Sequence, residues 1–319
     1  MLARLTYLFY AVAAGWAARV TPITVPPLVP TAYETYTDDL DNETDHPTDE
    51  LLNTSHRDHA PSAAPLRPWV EPDTTYLTQH LSQFGTALSV YFHNLATGFS
   101  FEYNADRRYM SASMPKAFFA LYLYQQADAG LLDTQGLVTF LEQDHRLGSG
   151  VIRHRYPLGT RFSQRRLLQL MLEPSDNIAT KMLVRAHGLA GFRQFAYETA
   201  GLAGNHVGSR IMNSHVTARE TGAFARAIYD FIATDTSYAQ MFHNNLYNDL
   251  FPFIVSDYPL ISKGGDFPPH AWHSMAIVYA ESPYLLVILS AREGWRAQDF
   301  REFREISLMF QAFNAQYFY

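Results

Sequence analysis

The sequence predicts an α+β fold: a single antiparallel sheet packed by the first and last helices of the domain, beside an all-helical subdomain. Three observations support this prediction. Two strand-like segments come early, a helix-rich block runs from about residue 138 to 232, and three more strand-like segments precede a last helix. Strands that are grouped apart from helices, rather than alternating with them, are typical of α+β folds.

The early elements begin at about residue 70. Residues 74–84 have helical spacing of apolar side chains, and 87–93 and 98–103 alternate like strands around a turn at 94–98. The segment 114–128 is rich in strong helix formers, and Ser113 stands at the start of that helix.

In the last part of the chain, three predicted strands come first and a helix follows them. Residues 259–262, 274–280 and 284–291 are predicted strands, and 298–318 is an amphipathic helix that closes the chain. The triplet at 263–265 then falls where the first of these strands ends. We expect the first and last helices to pack on one face of the sheet.

The N-terminal part of the chain predicts export. Residues 1–19 contain an uncharged run of fourteen residues, 5–18, which suits a signal peptide better than a membrane span of about 20 residues. A retained membrane anchor is the alternative. Residues 20–69 are predicted to be a disordered acidic and proline-rich linker, with the folded domain at 70–319. The expected location is therefore extracellular or at the cell surface.

Composition excludes several kinds of site. The chain has no cysteine, which rules out disulfides, thiolate metal sites and cysteine nucleophiles. The histidines lack metal-ligand spacing and no phosphate-binding glycine loop is present, so no metal or cofactor is expected. The net charge is −7, but eight acidic residues lie between positions 34 and 50, so the domain is nearly neutral. Nothing favours a nucleic-acid partner, and we expect a monomer.

The first chemical motif is a serine with a lysine three residues later, Ser113 and Lys116, at a helix N-terminus. That spacing is nearly one turn, which places the amine beside the hydroxyl. Burial can lower the lysine pKa until the amine accepts the serine proton. Pro115 fits the first turn, where its missing N–H costs nothing. By itself such a pair is usually a helix cap followed by a surface lysine.

Two further triplets follow along the chain. Ser175, Asp176 and Asn177 precede a helix, and Lys263, Gly264 and Gly265 follow a strand-like segment. Each has a simple structural explanation, as a helix cap or as a glycine turn. The three motifs follow in order at a helix start, at a loop-to-helix junction and on a late strand. Together they make a catalytic interpretation stronger than any one of them does.

Together the three motifs resemble those of the class A β-lactamase-like and penicillin-binding serine hydrolases. The resemblance covers roughly residues 72–318 and includes Ala112, the segments 148–150 and 162–180, the helix start at 217–220 and the strand at 277–279. It implies the β-lactamase/transpeptidase-like fold. It also implies that β-lactams or the D-Ala-D-Ala stem peptides of peptidoglycan are substrates.

The resemblance assigns roles by position. Ser113 would be acylated, with Lys116 as its base or proton relay. Ser175 and Asn177 would line one wall of the cleft, with Asp176 ordering their loop. Lys263 would support the proton network and attract a substrate carboxylate. The oxyanion would lie between the backbone N–H groups of Ser113 and Asp266, the residue that follows Gly264 and Gly265.

The chain departs from the family pattern in two respects. The stretch 201–216 contains no Asp or Glu, although class A β-lactamases carry there the glutamate that activates the deacylating water. Glu220 is expected to be structural, and His206, Asn213 and His215 are the polar residues that remain. Gly264 replaces a Thr or Ser whose hydroxyl would bind the substrate carboxylate, a hydrogen bond worth about 1 kcal/mol.

Asp266 places a negative charge close to where an anionic substrate should dock, and Arg219, His270 and His273 are candidates to offset it. These features favour a D-alanyl-D-alanine carboxypeptidase-like activity over efficient β-lactam hydrolysis. A penicillin-binding sensor that stays acylated and a wall-associated pseudoenzyme with a decayed site are the alternatives. Prompt release of the acyl product would exclude the sensor.

Overall fold

A computed structural model describes residues 70–201, 214–250, 252–291 and 300–318. The predicted signal peptide or anchor and the predicted linker lie outside the described residues. By the contacts between its residues the chain divides into two units, and the second unit begins at Pro72. The fold of the protein is that of this second unit. Within the described ranges, no helix has both the length and the hydropathy needed to span a membrane.

The central feature is a five-stranded antiparallel sheet, which confirms the predicted fold class. Its spatial order is β2-β1-β9-β8-β7. The strands are β1 (Leu88–Asn94), β2 (Ser100–Tyr103), β7 (Leu260–Phe267), β8 (Ala271–Val278) and β9 (Tyr284–Ser290). Two short two-stranded sheets join β3 (Tyr109–Met110) to β6 (His215–Val216) and β4 (Leu137–Thr139) to β5 (Arg161–Ser163).

The sheet is covered on both faces. Side chains of β9 alternate between two apolar clusters: Leu285, Val287 and Leu289 lie in one, and Leu286 and Ile288 in the other. Because successive side chains of a strand point to opposite faces, this assignment shows that each face has its own core. Every residue of β8 and β9 is buried, as expected for strands covered on both sides.

The first and last helices cover one face, as predicted. These are α1 (Thr75–Ser82) and α9 (Phe300–Tyr317), and both contribute side chains to the same cluster. The rings of Tyr76 and Phe313 lie 6.2 Å apart where the two helices meet. The chain ends of the folded unit therefore pack together on the sheet.

The other face carries the helical layer. Its helices are α2 (Pro115–Asp128), α3 (Ile152–Arg155), α4 (Gln164–Leu172), α5 (Asn177–His187), α6 (Ala190–Ala200), α7 (Ala218–Ile232) and α8 (Ser237–Tyr247). Helix α2 is its centre, with ten buried positions. Its Phe118 ring stacks on Phe224 of α7 at 4.0 Å, and its Tyr124 hydroxyl accepts a hydrogen bond from Asn245 of α8 at 2.7 Å.

One strand ends later than predicted. The predicted strand 259–262 continues to Phe267, because Gly264 and Gly265 pair with Ser274 and His273 of β8 rather than forming a turn. The turn lies at residues 268–270, and β8 accordingly begins at Ala271 instead of 274. The glycines are therefore in extended backbone at the edge of the sheet.

Candidate active site

The segment that holds Ser113 is a tight turn leading into α2. The Met114 N–H donates to the Ser111 carbonyl at 3.1 Å, and the Lys116 N–H donates to the Ser113 carbonyl at 3.2 Å. Ala112, immediately before Ser113, has a φ of +48°, a conformation that costs free energy for any residue with a side chain. Such backbone conformations cluster at functional sites.

Gly265 lets the edge strand β7 approach Ser113 closely. A Cβ atom at position 265 would lie 2.8 Å from the Ser113 backbone nitrogen and 3.0 Å from that of Met114. Only glycine fits there without displacing backbone. The strand therefore runs directly against the N-terminal end of α2.

The outer edge of β7 presents alternate N–H groups to the site. The Gly264 N–H points away from β8, since it donates to Asp249 Oδ2 at 2.8 Å. Residues two apart in a strand share an edge, so the Asp266 N–H lies on that same edge. This arrangement agrees with the predicted oxyanion pair of Ser113 and Asp266, which stays a prediction.

Lys116 is a fully buried lysine in a polar pocket. Its Nζ donates to the Ser175 carbonyl, to Ser175 Oγ at 3.0 Å and to Asn177 Oδ1 at 2.7 Å. Burial holds the pKa of the amine well below the usual lysine range, and the charge of Lys263 lowers this pKa further. A lowered pKa increases the fraction of the amine that is neutral at a given pH and can accept a proton. None of these hydrogen bonds goes to Ser113.

Asp176 fixes the loop that carries Ser175 and Asn177. Its Oδ1 accepts the N–H groups of Ile178 and Ala179 at 2.7 and 3.0 Å, which caps α5. Its Oδ2 accepts the N–H groups of Val151 and Ile152 at 2.6 and 2.8 Å. The carboxylate therefore orders the loop, as the resemblance implied.

The glycines at 148 and 150 allow a second loop to fit against this one. The Asn177 amide donates to the Leu147 carbonyl at 2.8 Å. A Cβ at Gly148 would lie 2.6 Å from Asn177 Nδ2, and a Cβ at Gly150 would overlap the Asp176 carboxylate. Both glycines have positive φ values, +98° and +124°. The orientation of Asn177 thus depends on backbone from a distant part of the chain.

Lys263 forms an ion pair that the sequence did not reveal. Its Nζ lies 3.0 Å from Oδ1 of Asp249, and the two side chains are 0% and 1% exposed. Asp249 Oδ2 also accepts a hydrogen bond from Ser262 Oγ at 3.2 Å. A carboxylate beside a buried ammonium group offsets the cost of removing its charge from water, so the acidic residues of the chain are the candidates for such a partner. No local motif marks Asp249 among them.

Asp266 lies on the exposed part of β7, immediately after the glycines. The protein atoms around its carboxyl displace water and raise its pKa, while the charges of Lys263 and Lys116 act in the opposite sense. The side chain places a carboxyl group on the wall of the site that β7 forms.

Two residues expected to offset that charge are engaged elsewhere. Arg219 pairs with Asp106 at 2.8 Å and also with Glu102. His273 is buried, and burial lowers its pKa to about 4. It accepts the Ser290 N–H on Nδ1 at 3.2 Å, so its Nε2–H donates to the Met110 carbonyl at 2.8 Å. The expectation that these two residues compensate is therefore wrong.

The third candidate, His270, stays a prediction. Its ring stacks on Phe267 with centroids 6.2 Å apart, and its backbone N–H donates to the Phe267 carbonyl at 2.8 Å.

Glu220 has the structural role expected of it. Its carboxylate accepts the Thr217 N–H at 2.8 Å, while its own N–H donates to Thr217 Oγ1 at 3.0 Å. This reciprocal pair is a capping box at the start of α7. His206 and Asn213 lie outside the described residues, and His215 is an exposed residue of β6.

Comparisons with known proteins agree with the fold described above. The model of a family described as the beta-lactamase enzyme family matches residues 74–310. No curated protein matches the chain. Several solved structures do, at 16–19% identity, and at that level the likeness shows the fold alone.

One similar structure is an acyl-enzyme complex of a PBP-A mutant with penicillin G, with a TM-score of 0.67, 18% identity, and coverage of 78% of this chain and 100% of that chain. The beta-lactamase from Sphaerobacter thermophilus has a TM-score of 0.65, 16% identity, and coverage of 76% and 98%. An ancestral (GNCA) class A beta-lactamase has a TM-score of 0.63, 18% identity, and coverage of 74% and 98%.

Proposed function

The chain belongs to the beta-lactamase enzyme family of serine hydrolases, and from that premise we propose that Ser113 forms an acyl-enzyme with β-lactam or D-alanyl-D-alanine-type amides. The observation that carries the proposal is the environment of Lys116. A buried amine with a lowered pKa, held by Ser175 and Asn177 one turn from a serine, is the arrangement needed for an activated nucleophile.

The acylation step follows from these positions. Ser113 Oγ attacks the carbonyl carbon of the amide while Lys116 Nζ takes the hydroxyl proton. The carbonyl π electrons move onto oxygen, where the N–H groups of Ser113 and Asp266 stabilise the charge. The C–N bond then breaks, and the proton passes from Lys116 through the Ser175 hydroxyl to the leaving nitrogen. Water later hydrolyses the ester and regenerates Ser113.

Release of the acyl group is the slow half of the proposed cycle. The stretch 201–216 contains no carboxylate to activate water, and Glu220 is held in the cap of α7. We therefore favour a D-alanyl-D-alanine carboxypeptidase-like activity over efficient β-lactam hydrolysis. In such an enzyme a β-lactam leaves a long-lived adduct.

A non-turnover role is the second candidate. Gly264 lacks the hydroxyl that would bind a substrate carboxylate, and Asp266 adds a negative charge at the same strand. A penicillin-binding sensor that stays acylated would need only the acylation residues. A wall-associated pseudoenzyme would not acylate at all.

Intact-protein mass spectrometry with benzylpenicillin tests these alternatives on the full chain. The proposal expects one penicilloyl adduct on the wild type and none on Ser113→Ala. Ser100→Ala on the exposed end of β2 is the control and should label like the wild type. A long-lived adduct supports the peptidase or sensor, and rapid loss with accumulating penicilloic acid supports a β-lactamase. A wild type that gains no mass while the benzylpenicillin stays intact contradicts the acylation proposal.

Export to the cell surface is part of the same proposal. The apolar run 5–18 and the proline-rich segment after it support a domain displayed outside the membrane, near peptidoglycan. Cell fractionation of the full chain beside a variant that lacks residues 1–19 tests this. Equal retention of both in the cytoplasm contradicts it.

A further inference from the structure

The bridging segment, residues 248–250, follows α8 directly and contacts both walls of the site. One wall is the loop that carries Ser175 and Asn177, and the other is β7. The segment lies in the sequence between the second and the third motif and belongs to neither. Its contacts indicate what it does for the site.

The first contact is with Glu173, which directly follows α4 and comes two positions before Ser175. The Asn248 amide donates to Glu173 Oε1 at 3.2 Å, and the Leu250 N–H donates to the Glu173 carbonyl at 3.2 Å. Glu173 is 5% exposed, and its Oε2 accepts the Gln169 amide at 3.1 Å. Both ends of the bridging segment are therefore fixed to one buried residue beside the Ser175 loop.

The second contact is made by the middle residue, Asp249, at three consecutive positions of β7. Its Oδ1 lies 3.0 Å from Lys263 Nζ. Its Oδ2 accepts the Gly264 N–H at 2.8 Å and the Ser262 hydroxyl at 3.2 Å. Hydrogen bonds to an ionised group are short and strong, so one buried carboxylate fixes both the edge of the strand and the ammonium group.

The strand positions that Asp249 holds adjoin those that approach Ser113. Gly265 directly follows Gly264, and its missing Cβ lets β7 lie against the Ser113 nitrogen. The N–H of Asp266, the proposed oxyanion donor, shares the outer edge of β7 with the N–H of Gly264. A displacement of about 1 Å in such a group can lower a reaction rate about 10²-fold. The contact with Asp249 therefore bears on the rate of acylation.

Lys263 also acts on the proposed base. Burial lowers the pKa of the Lys116 amine, and the charge of Lys263 lowers it further. The energy of two charges depends on the distance between them. An ion pair that fixes the position of Lys263 therefore also fixes its effect on Lys116.

We propose that Asp249 is a positioning residue for acylation. Through the bridging segment it couples the two walls, so that Lys263 and the outer edge of β7 keep a constant position relative to Ser113 and Ser175. The inference rests on the proposed acylation of Ser113 and adds to it a residue that none of the three motifs contains. It applies alike to β-lactam and D-alanyl-D-alanine-type amides.

The test measures adduct formation with benzylpenicillin on the full chain by intact-protein mass spectrometry. The rate constant at saturating drug refers to folded protein, whereas a loss of folded protein lowers only the labelled fraction. Asp249→Asn should lower this rate constant about 10²-fold. Asn248→Ala should lower it about two- to tenfold, the equivalent of one hydrogen bond. Asn248 is exposed, so its replacement leaves the protein folded even if Asp249→Asn does not fold.

A matched control and a double variant make the test specific. Asn244→Ala replaces another exposed asparagine, one turn earlier on α8, and should leave the rate constant unchanged. The double variant Asn248→Ala with Asp249→Asn should react no more slowly than Asp249→Asn alone, because both residues act through one linkage.

Hydrogen exchange gives a second readout, which needs no acylation. Asp249 holds the Gly264 amide hydrogen, so a peptide that spans residues 260–267 should exchange faster in Asp249→Asn than in the wild type. Asn248→Ala should also speed this exchange, since it loosens the bridging segment, and Asn244→Ala should not.

The outcomes separate the positioning role from the acylation itself. Wild-type rate constants in Asp249→Asn and Asn248→Ala, or effects that multiply in the double variant, overturn the positioning role and leave the acylation of Ser113 intact. A wild type that gains no adduct while the drug stays intact overturns the acylation. In that case the exchange of the 260–267 peptide decides, and equal exchange in all variants overturns the coupling of the two walls.

Discussion

The Nζ atom of Lys263 lies 3.0 Å from Oδ1 of Asp249, and this pair joins the segment just after α8 to the edge strand of the sheet. The same carboxylate accepts the Gly264 N–H. Removing one partner of a buried ion pair leaves an uncompensated charge, which is more costly than losing the pair as a whole.

Asp249→Ala should therefore lower the free energy of unfolding by about 3–5 kcal/mol, the usual cost of breaking a buried pair. Urea denaturation measures the change. Asp230→Asn, which breaks an exposed pair, should cost about 1 kcal/mol or less. Equal effects of the two variants would show that the buried pair has no special role.

The pH dependence of acylation should report the Lys116 amine. Because its pKa is lowered from 10.5, the neutral form is already populated at pH values where an exposed lysine is protonated. The rate should increase with pH and reach its plateau below 10.5. Lys116→Arg stays protonated and should lose about 10²–10⁴-fold in rate. A profile that still rises at pH 10.5 contradicts a lowered pKa.

Gly265→Ala should separate β7 from the start of α2. The added methyl group meets the Ser113 nitrogen at 2.8 Å, and backbone must move to relieve the overlap. We expect a loss of about 1–3 kcal/mol in stability and a larger fractional loss in the rate of adduct formation. Urea denaturation and mass spectrometry measure the two. Unchanged labelling would mean that the distance from β7 to Ser113 does not matter.

Glu220 should be dispensable for release of the acyl group. Glu220→Gln keeps a side chain that can complete the capping box, so stability and adduct lifetime should both stay close to wild type. Glu220→Ala should lose about 0.5–2 kcal/mol of stability with no change in lifetime. A longer adduct lifetime in Glu220→Gln would instead assign this carboxylate to water activation.

His273 should make the protein less stable in acid. Its pKa is about 4 in the folded state against 6.5 for an exposed histidine, so between these values only the unfolded chain takes up the proton. Stability then falls as the pH falls from 6.5 to 4, by about 3 kcal/mol in total, and is unaffected above this range. His273→Gln should flatten that part of the urea-denaturation profile, whereas the exposed His154→Gln should not. Parallel profiles for all three proteins would refute a lowered pKa.

The sequence predicted the parts of the site that are local. Ser113 with Lys116, and Ser175 with Asn177, are recognisable because a few residues fix their relative positions. The helices at both ends and the antiparallel sheet followed from periodicity. Predicting these features does not require the contacts between segments that are distant in the sequence.

What the sequence did not predict depends on distant contacts. Asp249 meets Lys263 through folding, and nothing in the local pattern distinguishes it from other acidic residues. Gly264 and Gly265 are typical of a turn, yet tertiary packing against Ser113 keeps them in an extended strand. The absence of a Cβ allows either a turn or a close approach of another segment, and only the three-dimensional structure shows which of the two a given glycine serves.

The pairing of β1 with β9 has a consequence for synthesis of the protein. Val90 of β1 lies opposite Ile288 of β9. Strand β1 therefore cannot pair with β9 until almost 200 further residues have been synthesised. A ribosome must therefore release nearly the whole domain before the sheet can close. Until then the apolar face of β1 is exposed, and we expect the nascent chain to need protection by a chaperone during that interval.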